Sequence, residues 1–222
     1  MDNSKAIATG PFWLVHDTET TGFPSKKVSN LDPEQNVVVQ HAAVLVCSKT
    51  FREVATLEII IDNGVFIKDF LVDIHGVSTD LAKQVGMTPF MAYTMFLALA
   101  EKADGRIVVA HNAKFDKDMT DIMLDRSGLG TDNVWSEFRQ LCTMELAAPW
   151  AKYPPTAKQI SAGFTGYKNP NLGEALFALT GRVHDGAHNA MNDVRACIDI
   201  LKTIIDLKNS GITPEEYQPI KA

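Results

Sequence analysis

Five residues, Phe12-Trp13-Leu14-Val15-His16, lead without a break into Asp17-Thr18-Glu19-Thr20-Thr21-Gly22. In an extended strand, residues two apart share a face, so Asp17 and Glu19 would aim two carboxylates at one spot while Thr18 faces away. Whatever this chain folds into must therefore end a strand in paired negative charge and supply a counter-charge there. A hard divalent cation with oxygen ligands answers that need, and Mg2+ in particular is often held by one or two carboxylates plus substrate phosphates. Asp-x-Glu alone is a common pattern, so the reading turns on acids further along the chain.

Residues 11 to 19 form the first strand expectation, followed by a polar loop through Asn36. Val37 to Cys47 and Phe51 to Ile61 read as two more strands, joined by the short Ser48-Lys49-Thr50, a spacing that favours an antiparallel hairpin. Helix starts are signalled at Ser78 and at Thr88-Pro89, where Thr suits an N-cap and Pro the first helical position; the second helix should run to about Ala103. Arg106 to Ala110 has a short buried-strand pattern, and Lys114 to Ser127 an amphipathic helix stopped by Gly128. Ser136 to Cys142 is a weaker strand, followed by a short helix through Ala148. Helices over about Leu172 to Thr180 and Ala190 to Lys208 close the chain. Strand and helix alternate in the second half, which implies parallel strands with crossovers. The expected class is α/β: a mixed five-stranded sheet, antiparallel on one side and parallel on the other, flanked by helices.

The chain of 222 residues suits one domain around one core. No apolar run is long enough for a membrane span, and Met1-Asp2-Asn3-Ser4-Lys5 lacks the apolar stretch of a secretory leader, so a cytoplasmic protein with no membrane partner is expected. Cys47, Cys142 and Cys197 are odd in number and far apart, which argues against a disulfide framework or a zinc cluster; all three read as buried thiols. A net charge of -6 disfavours a broad basic face for duplex binding. It leaves open an enzyme that meets phosphates through bound cations.

From Pro149 to Gly173 the chain has no Asp or Glu, three lysines (Lys152, Lys158, Lys168) and four aromatics (Trp150, Tyr153, Phe164, Tyr167). Such a mixture can stack bases and neutralise phosphates. A surface loop tacked down by its aromatics is the competing reading.

His111-Asn112-Ala113-Lys114-Phe115-Asp116 places an acid in the first turn of a helix, just past the C-terminal end of a strand, where open α/β sheets bind ligands. Ala187-His188-Asn189-Ala190-Met191-Asn192-Asp193 opens the last helix. Five positions on one continuous helix lie about 140° apart, so His188 and Asp193 can share a site only if His188 sits on a lead-in turn, for which Gly186 offers a place.

Taken in order, Asp17, Glu19, Asp116, His188 and Asp193 resemble the three motifs of the DEDDh (DnaQ-like) 3'-5' exonuclease family of the ribonuclease H-like superfamily. The resemblance spans roughly residues 11 to 205, and Ile74-His75-Gly76-Val77-Ser78 also resembles a segment of that family. It implies a single exonuclease domain over 1–222 with the ribonuclease H-like fold and a Lys- and aromatic-rich loop at 149–171. It further implies that Asp17, Glu19, Asp116 and Asp193 hold two Mg2+ or Mn2+ ions and that His188 is the general base. Thr18, His75 and Phe115 match positions that contact the terminal nucleotide. The implied reaction removes nucleoside 5'-monophosphates from the 3' end of DNA or RNA, with single-stranded nucleic acid as substrate and a DNA polymerase as a possible partner. A histidine near its ordinary pKa of about 6.5 can take a proton at cellular pH. His16 departs from the usual aliphatic residue and should point away from Asp17; His41 and His184 are expected at the surface or behind the site, and His111 in a structural hydrogen bond. Two other classes compete, a non-catalytic nuclease-like module that binds nucleic acid or a polymerase, and a metal-dependent phosphatase.

Overall fold

The computed structural model describes residues 11–130 and 134–221. Met1 to Lys5, read above for a leader, lie outside the described residues. Strand β1 (Phe12–Thr20) pairs antiparallel with β2 (Val38–Cys47), and β2 pairs antiparallel with β3 (Glu53–Ile60). Two short parallel strands, β4 (Ile107–Ala110) and β5 (Arg139–Cys142), extend the sheet from the other edge of β1, giving the order β3-β2-β1-β4-β5. This is the mixed sheet the sequence implies. β1 is its pivot, antiparallel to one neighbour and parallel to the other.

Eight α-helices flank the sheet among the described residues: α1 (Asp69–His75), α2 (Thr79–Val85), α3 (Pro89–Ala100), α4 (Ala113–Ser127), α5 (Thr143–Ala151), α6 (Ala157–Ser161), α7 (Leu172–Thr180) and α8 (Ala190–Asn209). The period-two alternation of β1 sorts them into layers. Leu14 packs with Tyr93 and Phe96 of α3 and Met119 and Met123 of α4, whereas its neighbour Val15 packs with Met191, Val194 and Ile198 of α8. β2 is buried at all ten positions because both of its faces are covered. A third cluster joins α5, α7 and α8 and takes in Tyr217 near the C-terminal end. No helix among the described residues is long and apolar enough to cross a membrane.

The cap signals hold: Ser78 accepts from the Leu81 N–H at 3.1 Å and Thr88 from the Met91 N–H at 3.4 Å. α3 stops at Ala100, short of the expected Ala103, where the chain tightens into a turn closed by the Ala103 N–H on the Ala100 carbonyl. α5 runs past Ala148 to Ala151 despite Pro149, which removes one helical donor in the last turn. α1 and α6 were not expected.

Four expectations need correction. Trp150 is 1% exposed and meets Tyr217 edge to face at 5.8 Å, so it is core and not a stacking surface. Lys152 donates to the carbonyls of Glu215 and Tyr217, and Lys168 to both oxygens of Glu174, which leaves Lys158, Phe164 and Tyr167 as the exposed part of that stretch. His41, expected near the surface or behind the site, is buried against Phe96 at 4.3 Å, with its Nε2 3.1 Å from Nδ1 of His16. Burial holds His16 neutral, with a pKa near 3, and pushes His41 well below the ordinary value. His16 does point away from Asp17, into the α3 layer. Cys47 and Cys197 are buried, but Cys142 is partly exposed; all three are free.

Candidate active site

The alternation that sorts the core also builds the site. Asp17 and Glu19 continue the α8-facing row of Val15, and Thr18 continues the α4-facing row of Leu14 and His16. The chain leaves β4 through His111 and enters α4 at Asn112, whose backbone is left-handed at φ 68. That sharp turn brings Asp116, in the first turn of α4, up to Thr18. One oxygen of Asp116 accepts both the Thr18 N–H at 3.1 Å and the Thr18 hydroxyl at 2.9 Å. His111 has the structural role expected of it. Its Nε2 donates to the Pro170 carbonyl at 3.1 Å and its Nδ1 lies 3.1 Å from the Thr143 hydroxyl, with burial pulling its pKa down to about 4.

The lead-in turn to α8 is present. Gly186 is left-handed at φ 78, its carbonyl accepts from the Asn192 amide at 3.1 Å, and Asn189 caps the helix by accepting from the Asn192 N–H. His188 stands one residue before the cap, itself left-handed at φ 65. From there its N–H donates to Oδ2 of Asp193 at 3.3 Å. The other oxygen, Oδ1, accepts from Nε2 of His184 at 2.6 Å. Sequence reading placed His184 at the surface or behind the site, and the structure decides for the latter. Its spacing from Asp193 carries no signal, because the intervening turn sets the geometry.

Asp17, Thr18, Glu19, His75, Phe115, His188 and Asp193 all line one cavity of about 370 Å3. Asp116 stands behind Thr18, 2% exposed. His188 and Asp193 also line a second cavity of about 630 Å3 on the α7 side, so they form the wall between the two. Phe23 was missed by sequence reasoning, although it directly follows Gly22; it is 80% exposed and meets Phe115 edge-on at 5.7 Å. His75 accepts the Val77 N–H on Nδ1 at 3.1 Å, which leaves Nε2 as a buried N–H donor without a partner among the described residues.

No Lys or Arg lines the 370 Å3 cavity among the described residues. The electrostatic result is uniform. Burial, then Asp116, Asp193 and Glu19 in turn, raise Asp17 well above the carboxylate range. Burial and Asp193 raise Glu19 to about 7. Asp116 rises to about 7 through burial, against the opposing hydrogen bonds from Thr18. Burial also raises Asp193, against the pull of His184 and His188. Four carboxyl groups that resist ionisation together lack positive charge, and hard oxygen donors of this kind suit a divalent cation. Glu19, His188 and Asp193 place ligand atoms within 4.8 Å of one another, so the site includes a group able to hold a metal ion.

The family model RNase_T, described as Exonuclease, matches residues 14–201. The PolC-type DNA polymerase III of Caldanaerobacter subterraneus subsp. tengcongensis is 26% identical over 210 residues, which cover 94% of this chain and 13% of the polymerase. A structure of E. coli exonuclease I in complex with a dT13 oligonucleotide superposes with a TM-score of 0.65 at 20% identity, covering 90% of this chain and 43% of that one. The zinc-bound E. coli exonuclease I complex with single-stranded DNA gives 0.64 at 19% identity, covering 91% and 43%. The chain thus spans less than half the length of each of these proteins. With the match running from β1 into α8 and through every strand of the mixed sheet, the chain belongs to the Exonuclease family RNase_T, of DnaQ-like, ribonuclease H-like architecture.

Proposed function

We propose that this chain is a metal-dependent 3'-5' exonuclease that hydrolyses phosphodiester bonds of single-stranded nucleic acid and releases nucleoside 5'-monophosphates. One observation carries the reading: Asp17, Glu19 and Asp193 line one cleft with Asp116 just behind Thr18, burial lifts all four carboxyl groups, repulsion between them adds to it at Asp17, Glu19 and Asp116, and no Lys or Arg lines the wall among the described residues. The family match and the fold shared with exonuclease I complexes support it.

In this reading Asp17, Glu19, Asp116 and Asp193 would hold two Mg2+ or Mn2+ ions. Such a pair of cations offsets the charge of the phosphodiester and of the leaving oxygen when bound. The remaining work falls to the chain's own groups. His188, at the solvent side of the wall between the cavities, takes the proton of the attacking water on its imidazole. The Nε2–H of His75 donates to the terminal nucleotide, and Phe115 with Phe23 packs against its base. Thr18 acts mainly through Asp116, since its hydroxyl proton is already committed there.

The test uses 5'-labelled single-stranded DNA and RNA of equal sequence, with Mg2+, Mn2+ or excess EDTA. The expected result is a ladder shortening from the 3' end, with nucleoside 5'-monophosphates as products and no turnover in EDTA. His188→Ala should lower kcat by about 100- to 10,000-fold, the scale of losing a general base. Turnover in EDTA would sink the metal reading, and degradation from the 5' end the polarity. Hydrolysis of mononucleotides without attack on oligomers would make it a phosphatase, and metal-dependent binding without any product would make it a non-catalytic module.

A further inference from the structure

His184 lies outside the five motif positions, yet its contact with Asp193, at 2.6 Å, is shorter than either bond that Thr18 gives Asp116. Asp193 stands in the first turn of α8, where the helix fixes its backbone but leaves the carboxylate free to turn unless donors hold it. Two donors do. The His188 N–H reaches Oδ2 at 3.3 Å, from a left-handed residue on the lead-in turn. The His184 imidazole reaches Oδ1 at 2.6 Å, the short end of the range for such bonds.

His184 is itself well placed to act as a fixed point. Its side chain is 9% exposed, and its Cβ lies 3.7 Å from where a side chain on Gly173 would begin, so the loop rests on the first turn of α7. It also forms part of the wall of the 630 Å3 cavity. With Oδ1 engaged by His184, Oδ2 is the oxygen beside His188, and the carboxylate plane is set before any cation arrives.

We propose that His184 is a positioning residue that orients Asp193 for the cation Asp193 would share with Asp17 and Glu19. This rests on the metal-dependent reading above and adds to it a residue that the family motifs do not contain. Groups that hydrogen-bond a metal-ligating side chain typically change metal affinity or activity by about 10- to 100-fold when removed. A purely structural role, pinning the loop between α7 and α8, would lower stability and leave the metal affinity of the folded chain alone.

The test is a Mn2+ titration of the metal-free full chain without nucleic acid, followed by calorimetry, with turnover against Mn2+ concentration measured in parallel. His184→Ala should weaken Mn2+ binding by about 10- to 100-fold while kcat at saturating Mn2+ stays within about threefold. His184→Gln, which keeps an N–H near the position of Nε2, should hold affinity within about threefold of the wild type. If His184→Ala fails to give a folded circular dichroism spectrum, His184→Leu, which keeps the bulk and lacks the donor, replaces it. Unchanged affinity without the donor would overturn the proposal. So would tighter binding, which would mean that His184 competes with the ion, and so would a Gln variant as weak as Ala. A wild-type chain that binds no Mn2+ would overturn the metal-dependent reading itself, so the two failures are distinguishable.

Discussion

Thr18 shows how much a single residue between two acids can decide. Alternation turns it toward α4, and there it satisfies Asp116 twice, through its N–H and its hydroxyl. Those bonds stabilise the ionised carboxylate against a burial that pushes its pKa to about 7. Thr18→Val keeps the shape and the N–H bond but deletes the hydroxyl donor from a buried acceptor, at a cost of about 1 to 3 kcal/mol. The Asp116 carboxyl should then titrate higher still in the metal-free chain, with Thr18→Ser restoring it; carboxyl 13C shifts against pH measure both, and an unmoved Asp116 would show that the hydroxyl does not act on it. The acids themselves were legible in sequence because strand alternation and helix phase fix where Asp17, Glu19 and Asp116 can point. His184 was not, since its reach to Asp193 depends on a turn containing left-handed Gly186 and His188.

At the scale of elements, the stretch 149–171 changed character between sequence and structure. Its lysine and aromatic content suits a strand-gripping surface, yet most of those side chains are engaged within the fold. Trp150 finds Tyr217, Lys152 finds the carbonyls of Glu215 and Tyr217, and Lys168 finds Glu174 while lying 5.1 Å over the Tyr153 ring. Lys152→Ala and Lys168→Ala should therefore lower the melting temperature and leave the salt slope of oligonucleotide binding unchanged, because neither lysine is free to release counterions from phosphates. A slope flattened by either change would return the loop to the binding surface. α3 and α8 were readable from Thr88-Pro89 and from the apolar periodicity after Asn189. α1 was not: Lys68 gives it no side-chain cap, and its seven residues hold through Leu71 and Val72 packed against Ile67 and Val77. α6 carried a legible capping box, Thr156 with Gln159, in only five residues.

For the whole molecule, the cleft concentrates cost. A carboxyl group whose pKa is raised on folding favours the native state only while protonated. The penalty is absent below the ordinary carboxylate range, grows as pH rises from about 4.5 toward 7, and is complete above that. For Glu19, moved from 4.5 to about 7, it amounts to about 3 kcal/mol in the metal-free chain. The melting temperature of the EDTA-treated protein should thus fall as pH rises through that window, Mn2+ should restore most of the loss, and Glu19→Gln should flatten the curve. An equally steep curve in Glu19→Gln would place the penalty elsewhere. The same cleft carries the left-handed backbone of His188, a conformation that costs an L-residue about 1 to 2 kcal/mol and glycine very little. Heat selection acting on this chain would therefore gather its gains at the cleft, where relief of repulsion and of backbone strain is cheapest to reach. The hardiest survivors would be well-folded proteins that have lost their chemistry.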